Sequence, residues 1–479
     1  MIDLKGKKRR LVVVSNRLPF YRYKNEDDTI VCEKSTGGLI TAMEPILIDT
    51  AGVWMGWDGL LTEDSKKTGP EIPVVPEIYP APDLKRSYKV ICVPLTEAEH
   101  HEYYNRFSNE TLWSLFHYFF EKTLIDSAAW DAYCAINKRF AEYIDRLYTD
   151  ADLIWIQDFH LFMTPFFLRS LRPRAEIHFF LHIPFPHIDI FSILPWQKEL
   201  IASLLSCNSV GFHHRQYLKN FSSVVENYNR ENKLTDKKNC LAYVNPISID
   251  FDTVNRTSRM PEVRKKRDGL REKIMCPKFI LGVDRIDYSK GIKERLLGLE
   301  LLMEKHPELK KEFYYYQLLI PSRENVTAYI NLKKEIDEII GRINGKYSES
   351  LWSPVHYHYG VVPFDELVAL YSAADIALVT PLRDGMNLVC KEYVAAHSDN
   401  DGILILSKFA GAIAEIKNCL PVNPYSIENI ADVLFEAIHM PEKDRKKKMS
   451  RMRQNIKKNN IETWLRDCLK MFSLSEQEK

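Results

Sequence analysis

The chain has 479 residues, more than one hydrophobic core usually serves, so two or three domains are expected. Its 45% apolar and 27% charged residues are typical of a globular protein, and the net charge of +1 argues against a nucleic-acid partner. The nine cysteines form no C-x-x-C pair, no stretch approaches the roughly 20 apolar residues of a membrane span, and the apolar run Leu11–Val14 is too short for a signal peptide, so we expect a cytoplasmic protein with reduced thiols and no membrane partner.

Polar residues follow the first predicted strand, as they do where α/β proteins bind ligands. The strand Leu11–Val14 is followed by Arg17, which suits a phosphate, although a surface salt bridge has equal weight. Gly37 and Gly38 then open a helical stretch and let backbone N–H groups approach an anion, although an ordinary turn is commoner. Trp57 lies between glycines and could stack on a sugar, although core packing is the default for this residue type.

Two more strands in the first half end in polar loops. The strand Leu153–Ile156 precedes Asp158, and the strand Ile177–Leu181 precedes His182. His182 could equally be a hydrogen-bonded core histidine. Between residue 103 and residue 118 lies an aromatic-rich helical segment, most of whose rings we expect to pack in the core.

The strongly basic stretch Arg256–Lys273 loses the apolar period, which predicts a domain boundary near residue 255. We therefore predict one domain over 1–255 and another over 256–459, with a terminal helix over 460–475 that packs back on the first. Strands and helices alternate in both halves, which predicts an α/β protein with two doubly wound parallel sheets. The ligand-binding loops should meet in a cleft between the domains, which we expect to close on binding.

In the second half, the strand Phe279–Val283 is followed by a basic turn and then by a helix over Ile292–Lys305. Arg285 and Lys290 bracket this turn, so two cations and the helix N–H groups could face one anion. That arrangement suits a diphosphate, and the alternative is a solvated basic turn.

A third ligand-type loop follows the predicted strand Ile376–Val379. Asp384 and Glu392 add carboxylates that could accept hydrogen bonds from sugar hydroxyls. Asn387 is a good N-cap, with a helix from Leu388 onward. A buried strand with a capped helix and a solvated aspartate is the alternative. Further along, Phe409–Ile416 is predicted as a helix.

Several stretches together resemble one enzyme family, the trehalose-6-phosphate synthases, which are retaining glucosyltransferases of glycosyltransferase family 20. The matching stretches appear in the family's order and run from residue 11 to about residue 425: VVVSNRLP, STGGL, YYNRFSN, FLHIPFP, VDRIDYSKG, PSR, GRINGKY and TPLRDGMNLVCKEY. The resemblance implies a GT-B fold, with two Rossmann-like domains facing a central cleft. It implies glucose transfer from UDP-glucose to glucose 6-phosphate with retention, and release of UDP.

The resemblance also implies a role for each matching residue. The donor diphosphate would be held by Gly37, Gly38, Arg285 and Lys290. The transferred glucose would be held by Asp384, Gly385, Met386, Asn387 and His182. The rest of the nucleotide would be held by Leu388, Val389, Glu392 and the Val362 backbone. The acceptor would be held by Arg17, Tyr104, Asp158 and Arg323, with Trp57 and Trp113 lining its side. The residues assigned to catalysis are Arg285, Lys290, Asp158, His182 and Asp384.

Departures from the family pattern are small: Thr36 replaces a common Ala, Cys390 a small residue, and Gln157 a common His. Three D-x-D triplets occur, at 150–152, 250–252 and 399–401, but none lies in a ligand-type loop, and the histidines lack zinc spacing. We therefore expect no essential metal and no cofactor besides the donor substrate.

Two alternatives stay open at this stage. A sister transferase of the glucosylglycerol-phosphate synthase type would use another phosphorylated acceptor, such as glycerol 3-phosphate. A non-catalytic regulatory subunit would only bind sugar phosphates, but such a protein should lose Arg285, Lys290 or Asp384, and all three are present. No phosphatase D-x-D-G-T motif follows, so we expect a separate trehalose-6-phosphate phosphatase. A homo-oligomer is compatible with the sequence, which leaves the donor base, the oligomeric state and regulation open.

Overall fold

The computed structural model describes residues 2–4, 7–25, 27–34, 38–63, 88–233, 240–274, 276–322, 326–349 and 351–475. The chain divides into two compact units, one of Met1–Pro246 with Trp464–Lys479 and one of Ile247–Thr463. The predicted site residues Gly37 and Arg323, and also Thr36, lie outside the described residues. Across the described ranges, no helix is both long and apolar enough to cross a membrane.

The first unit is built on a mostly parallel sheet with the strand order β10-β9-β8-β7-β2-β5-β6. Its strands are β2 (Lys7–Arg17), β5 (Val53–Trp57), β6 (Lys89–Cys92), β7 (Asp152–Gln157), β8 (Glu176–Leu181), β9 (Ser209–Phe212) and β10 (Leu241–Val244). The short β1 (Ile2–Leu4) pairs antiparallel with β2, while β3 (Phe20–Lys24) and β4 (Ile30–Lys34) form a separate hairpin.

Helices connect these strands. They are α1 (Gly38–Thr50), α2 (Glu97–His100), α3 (Ser114–Phe116), α4 (Ser127–Leu147), α5 (Thr164–Leu171), α6 (Ile188–Phe191), α7 (Gln197–Leu204) and α8 (Arg215–Glu231). The aromatic-rich segment forms a π-helix over His101–Trp113, and 3₁₀ turns lie at Phe120–Lys122 and Phe159–Leu161. The last helix of the chain runs over Ile461–Ser475, and the first unit includes its residues from Trp464 onward.

The second unit is built on a fully parallel sheet with the strand order β13-β12-β11-β14-β15-β16. Its strands are β11 (Lys278–Arg285), β12 (Phe313–Ile320), β13 (Val355–Tyr359), β14 (Ile376–Val379), β15 (Ile403–Ser407) and β16 (Leu420–Val422). β14 and β15 are almost wholly aliphatic, because parallel strands are buried on both faces.

Helices cover both faces of this second sheet, as a doubly wound fold requires. They are α9 (Phe251–Thr257), α10 (Pro261–Lys273), α11 (Ile292–Lys305), α12 (Thr327–Tyr347), α13 (Phe364–Ala373), α14 (Val389–Ala396), α15 (Ile427–His439) and α16 (Glu442–Lys458). The helix Ile461–Ser475 is α17. Further 3₁₀ turns lie at Tyr288–Lys290, Pro307–Leu309 and Gly411–Ala414.

Strand order fixes where ligands can bind in each unit. Numbered within its own unit, the second sheet runs 3-2-1-4-5-6, and the first sheet runs in the same order with one strand more. In such sheets the connections reverse direction between the first and fourth strands, and this leaves a crevice at their carboxyl ends. The crevice lies between β2 and β7 in the first unit and between β11 and β14 in the second.

The predicted α/β class with two doubly wound sheets is confirmed. The prediction of a helix over Phe409–Ile416 is wrong, since only the 3₁₀ turn Gly411–Ala414 forms there. The strands β5, β13 and β16 were not predicted, because tryptophan, glycine, histidine or proline interrupts their apolar pattern. The four-residue strands β6 and β10 were not predicted either.

Candidate active site

The loop after β11 brings a cation to the crevice of the second unit. Arg285 ends the strand and is exposed, and the turn that follows is closed by Asp287, whose Oδ1 accepts a hydrogen bond of 2.9 Å from the Ser289 N–H. Gly291 has a φ of 63°, and a Cβ there would lie 2.2 Å from the Thr380 carbonyl oxygen. Only glycine permits this approach, so the loops after β11 and β14 pack backbone against backbone.

Asp384 is the centre of the loop after β14. Its Oδ2 lies 2.6 Å from the Lys290 Nζ and accepts a hydrogen bond of 3.2 Å from the Asn387 Nδ2, while its Oδ1 accepts one of 3.2 Å from the Met386 N–H. The Lys290 and Asp384 side chains are only 11% and 13% exposed. The structure thus joins one predicted diphosphate ligand to one predicted glucose ligand in a largely buried ion pair.

The helix predicted over Phe409–Ile416 is absent for a structural reason. The Gly411 N–H donates to the Asp384 carbonyl over 3.0 Å, and the Ala412 N–H donates to the Met386 carbonyl over 2.9 Å. A Cβ at Gly411 would lie 2.0 Å from the carbonyl oxygen of Gly385. This segment therefore packs against the Asp384 loop. Its N–H groups at Gly411 and Ala412 donate to that loop instead of to carbonyls within a helix.

The start of α14 presents backbone donors. The helix begins at Val389 with Leu388 as its N-cap position, one residue later than predicted. Asn387 has a φ of 77°, and its Oδ1 accepts a hydrogen bond of 3.1 Å from the Cys390 N–H, so its side chain does cap the first turn. The N–H groups of Leu388 and Val389 find no acceptor among the described residues, which leaves them available to an anion.

Glu392 lies one turn into α14 and is partly buried. The Tyr371 hydroxyl donates a hydrogen bond of 2.9 Å to its Oε2. Desolvation raises the pKa of Glu392, and the tyrosine hydrogen bond opposes that rise. The sequence did not single out Tyr371, which orients this carboxylate from α13. Val362 lies in the loop between β13 and α13 and is half-buried.

In the first unit, Arg17 and Tyr104 belong to an aromatic cluster at the end of β2. The Arg17 guanidinium lies 4.8 Å from the Trp57 ring centroid and 5.8 Å from the Tyr104 ring centroid. The Tyr104 ring stacks on His100 and on His160, at 5.0 and 5.7 Å between centroids. Burial, with a contribution from Arg17, lowers the pKa of His100 to about 4, so this ring stays neutral beside the guanidinium.

Asp158 follows β7 with an unusual backbone. Its φ of 72° and ψ of 168° fall in a region that is essentially restricted to glycine. The Asp158 N–H donates to the Phe180 carbonyl over 2.8 Å, and its Oδ1 accepts a hydrogen bond of 3.1 Å from the His182 N–H. The ends of β7 and β8 are thereby tied together, which brings two predicted site residues side by side.

The His182 ring is held neutral. Desolvation lowers the pKa of this histidine to about 3. Its Nε2 lies 2.9 Å from the Oε1 of Gln157, which is buried at the end of β7. A neutral imidazole can donate from one nitrogen and accept at the other, which suits a sugar hydroxyl.

The remaining predicted residues are less central in the structure. Trp113 is 6% exposed, and its ring lies 4.0 Å from the His117 ring and 5.9 Å from the Phe159 ring, so core packing accounts for most of its surface. Gly38 begins α1. Because Gly37 and Arg323 lie outside the described residues, their roles stay predictions.

The D-x-D triplets serve the fold. Asp152 pairs with Arg10 at 2.7 Å, Asp250 caps α9 by accepting from the Thr253 N–H at 2.8 Å, and Asp401 pairs with Arg445 at 2.8 Å. Within the described ranges, no group of three or more acidic, histidine or cysteine side chains could hold a metal ion.

Comparison with known proteins adds a family context. The model of glycosyltransferase family 20 matches residues 9–473. A trehalose-6-phosphate synthase of Mycolicibacterium paratuberculosis is 37% identical over 473 residues, which cover 96% of this chain and 94% of the relative. An alpha,alpha-trehalose-phosphate synthase [UDP-forming] A of Dictyostelium discoideum is 36% identical over 461 residues, and the match spans 95% of this chain but only 61% of that longer protein.

Solved structures agree with these relatives. A Burkholderia xenovorans alpha,alpha-trehalose-phosphate synthase (UDP-forming) in complex with glucose-6-phosphate is 30% identical, with a TM-score of 0.85 over 97% of this chain and 99% of the other. An E. coli trehalose-6-phosphate structure bound with UDP-2-fluoro glucose is 33% identical, with a TM-score of 0.86 and the same coverage of both chains.

Proposed function

This chain belongs to glycosyltransferase family 20, and on that premise we propose that it transfers glucose from UDP-glucose to glucose 6-phosphate, with retention, and releases UDP. Its relatives named as trehalose-6-phosphate synthases, matched over nearly the whole chain, support this activity. The GT-B fold is shared with the solved trehalose-phosphate synthases. In the proposed reaction the product is a phosphorylated disaccharide, α,α-trehalose 6-phosphate.

The observation that carries the proposal is the loop pair at the crevice of the second sheet. Lys290 and Asp384 are joined at 2.6 Å, and Arg285 ends the neighbouring strand. The N–H groups at the start of α14 complete a set of cationic and dipolar donors. This set suits a diphosphate, and the Asp384 and Glu392 carboxylates suit the hydroxyls of the sugars attached to it.

In the first unit, we propose that Arg17 and Tyr104 hold the phosphorylated acceptor and that Asp158 hydrogen-bonds its hydroxyls. Arg17 presents an exposed guanidinium above aromatic rings, an arrangement that favours a planar, bidentate hold on phosphate. Neutral His182 would contact the transferred glucose. These assignments rest on the family resemblance and on the grouping of the side chains at the β2–β7 crevice.

The proposed chemistry breaks the bond between the glucose C1 and the diphosphate oxygen, and forms a bond from C1 to the anomeric oxygen of the acceptor. Negative charge grows on the leaving oxygens, where Arg285, Lys290 and the N–H groups of α14 would stabilise it. The proton of the acceptor hydroxyl passes to the leaving phosphate. This course needs no enzyme nucleophile, in contrast to a retaining glycosidase with its paired carboxylates.

We propose that the reaction needs no metal. The cations of the site would neutralise the diphosphate, and the three D-x-D triplets are engaged in ion pairs or in a helix cap, or lie beside His397. We also propose that a separate phosphatase removes the phosphate of the product.

The test is UDP release from UDP-glucose with four acceptors: glucose 6-phosphate, glycerol 3-phosphate, glucose and water. We expect release with glucose 6-phosphate alone, with a phosphorylated disaccharide as product. Release that requires glycerol 3-phosphate would instead identify the sister transferase. No release with any acceptor, repeated with GDP-glucose and ADP-glucose, would favour a regulatory subunit.

A further inference from the structure

A fully buried arginine, Arg295, lies directly behind the loops of the second-unit crevice. It is the fourth residue of α11, at the end of the first turn, and its side chain is 0% exposed. Its Nη1 pairs with the Asp284 Oδ2 at 2.6 Å and donates to the Gln317 Oε1 over 3.0 Å. A buried guanidinium is costly unless most of its donors find partners, so this network is demanding to build.

The other donors of Arg295 reach the two loops themselves. Its Nε donates to the Thr380 Oγ1 over 2.9 Å, and its Nη2 donates to the Lys290 carbonyl over 3.5 Å. The Thr380 hydroxyl in turn donates to the Gly291 carbonyl over 3.3 Å. Arg295 thus binds the backbone of the loop after β11 and the first residue of the loop after β14.

The sheet makes room for this side chain. A Cβ at Gly282, inside β11, would lie 2.6 Å from the Arg295 Nη1 and 2.5 Å from the Tyr315 hydroxyl. Glycine weakens a strand interior, so this position gives up strand stability to accommodate the guanidinium network. The Asp284 carboxylate is fully buried too, and its pKa is raised by desolvation and lowered by Arg295.

Stability alone does not call for an arginine here. The neighbouring positions of α11 that face the sheet are apolar: Ile292, Leu296 and Leu299. Replacing a buried ion pair by apolar groups of similar size is often neutral or stabilising. An apolar side chain, however, could not hydrogen-bond the Lys290 carbonyl and the Thr380 hydroxyl together.

We propose that Arg295 is a positioning residue that fixes the spacing of the Lys290 and Asp384 loops and thereby sets the affinity for the donor diphosphate. The inference rests on the proposed function, because it assumes that these loops bind a nucleoside diphosphate. Arg295 itself touches no substrate. It acts through backbone and hydroxyl contacts that keep the Lys290 ammonium and the Asp384 carboxylate in place.

Two variants separate positioning from charge balance. Arg295→Lys keeps a cation beside Asp284 but cannot donate to all four partners. The double variant Arg295→Met with Asp284→Asn removes both buried charges, so no uncompensated ion is left in the core. Arg453→Met is the matched control, because Arg453 is also buried in this unit but binds the carbonyls of Val394 and Ala395 at the far end of α14.

Calorimetric titration with UDP and steady-state kinetics give the readouts. For both Arg295 variants we expect a UDP Kd raised between about 10-fold and 10²-fold, as loss of one charge-assisted hydrogen bond to the diphosphate would cause. The KM for UDP-glucose should rise with it, while the KM for the acceptor stays near wild type. Arg295→Lys should lower the thermal midpoint, because buried acceptors lose their donors. Arg453→Met should lower the thermal midpoint without changing the UDP Kd.

The outcomes are distinguishable. A folded Arg295→Lys or double variant that binds UDP within twofold of wild type would overturn the positioning role alone. A wild-type chain that binds none of UDP, GDP and ADP would overturn the proposed function and this inference with it. An equal loss of UDP affinity in Arg453→Met would show that general destabilisation causes the loss, and it would overturn the inference too.

Discussion

The backbone at Asp158 predicts a reversal of the usual order between alanine and glycine. Its φ of 72° and ψ of 168° are strained for any residue with a Cβ, at a cost of about 1–3 kcal/mol. Alanine in place of Asp158 keeps this strain and glycine removes it, while both lose the hydrogen bond from the Oδ1 to the His182 N–H. The comparison of Asp158→Gly with Asp158→Ala therefore isolates the backbone strain.

The magnitude follows from two opposing effects. Glycine stabilises the folded state by relieving the strain. It also lowers the free energy of unfolding by about 0.4–1 kcal/mol, because the unfolded chain has greater freedom. Asp158→Gly should therefore be more stable than Asp158→Ala by up to about 2.6 kcal/mol, and by about 1.3 kcal/mol at the middle of the two ranges. At about 2–4 °C per kcal/mol for a unit of this size, thermal unfolding resolves the difference.

The control pair is Ser192→Gly and Ser192→Ala. Ser192 is exposed in the same unit and has an ordinary φ of −69°. There alanine should be the more stable by about 0.4–1 kcal/mol. If Asp158→Ala proves more stable than Asp158→Gly by as much as alanine exceeds glycine at Ser192, the strain does not exist in solution. In that case the backbone of this loop gives no support to a functional role for Asp158.

Three further predictions concern activity. Arg285→Ala should lower turnover by roughly 10²–10³, as loss of a donor to developing charge does, while the exposed Arg264→Ala on α10 should leave turnover unchanged; a decrease of only a few-fold at Arg285 would refute its role. Gln157→Glu places a carboxylate beside the His182 Nε2 and should raise the pKa of that imidazole from about 3. Because turnover is proposed to need the neutral imidazole, the turnover of this variant should fall as the pH drops through the raised pKa. In the wild type, titration of His182 should not affect turnover between about pH 5 and 8. Identical pH profiles of the wild type and Gln157→Glu would contradict the contact between residue 157 and the His182 ring. Activity should persist after EDTA treatment, and its abolition, with recovery on adding a divalent cation, would show that a metal is required.

The sequence predicted the class of fold because the alternation of strands and helices depends on local patterns. Aliphatic runs such as Ile376–Val379 became buried parallel strands, and polar loops came at their ends as the alternation requires. Lys290 and Asp384 were assigned to the donor by the resemblance, and the structure brings them within 2.6 Å. Strand order then explains why these loops, 94 residues apart, share one crevice.

Other features depend on long-range contacts that no local pattern contains. The stretch Phe409–Ile416 has a helical composition, but backbone bonds to the Asp384 loop prevent the helix. The left-handed backbone of Asp158 follows from its bonds to β8. Tyr371 orients Glu392 across the gap between two helices.

Arg295 is the clearest example of a residue whose environment only the tertiary structure decides. In the sequence it is one arginine in a charged helix start, where solvent exposure is the ordinary expectation. In the structure it is fully buried, because Gly282 leaves room beside it and Asp284 supplies the opposite charge. The sequence by itself determined the alternation of strands and polar loops, and the assignment of particular residues to a diphosphate and a sugar stays a prediction. The tertiary structure decided which buried groups hold them in place, because a buried charge depends on partners that only folding brings together.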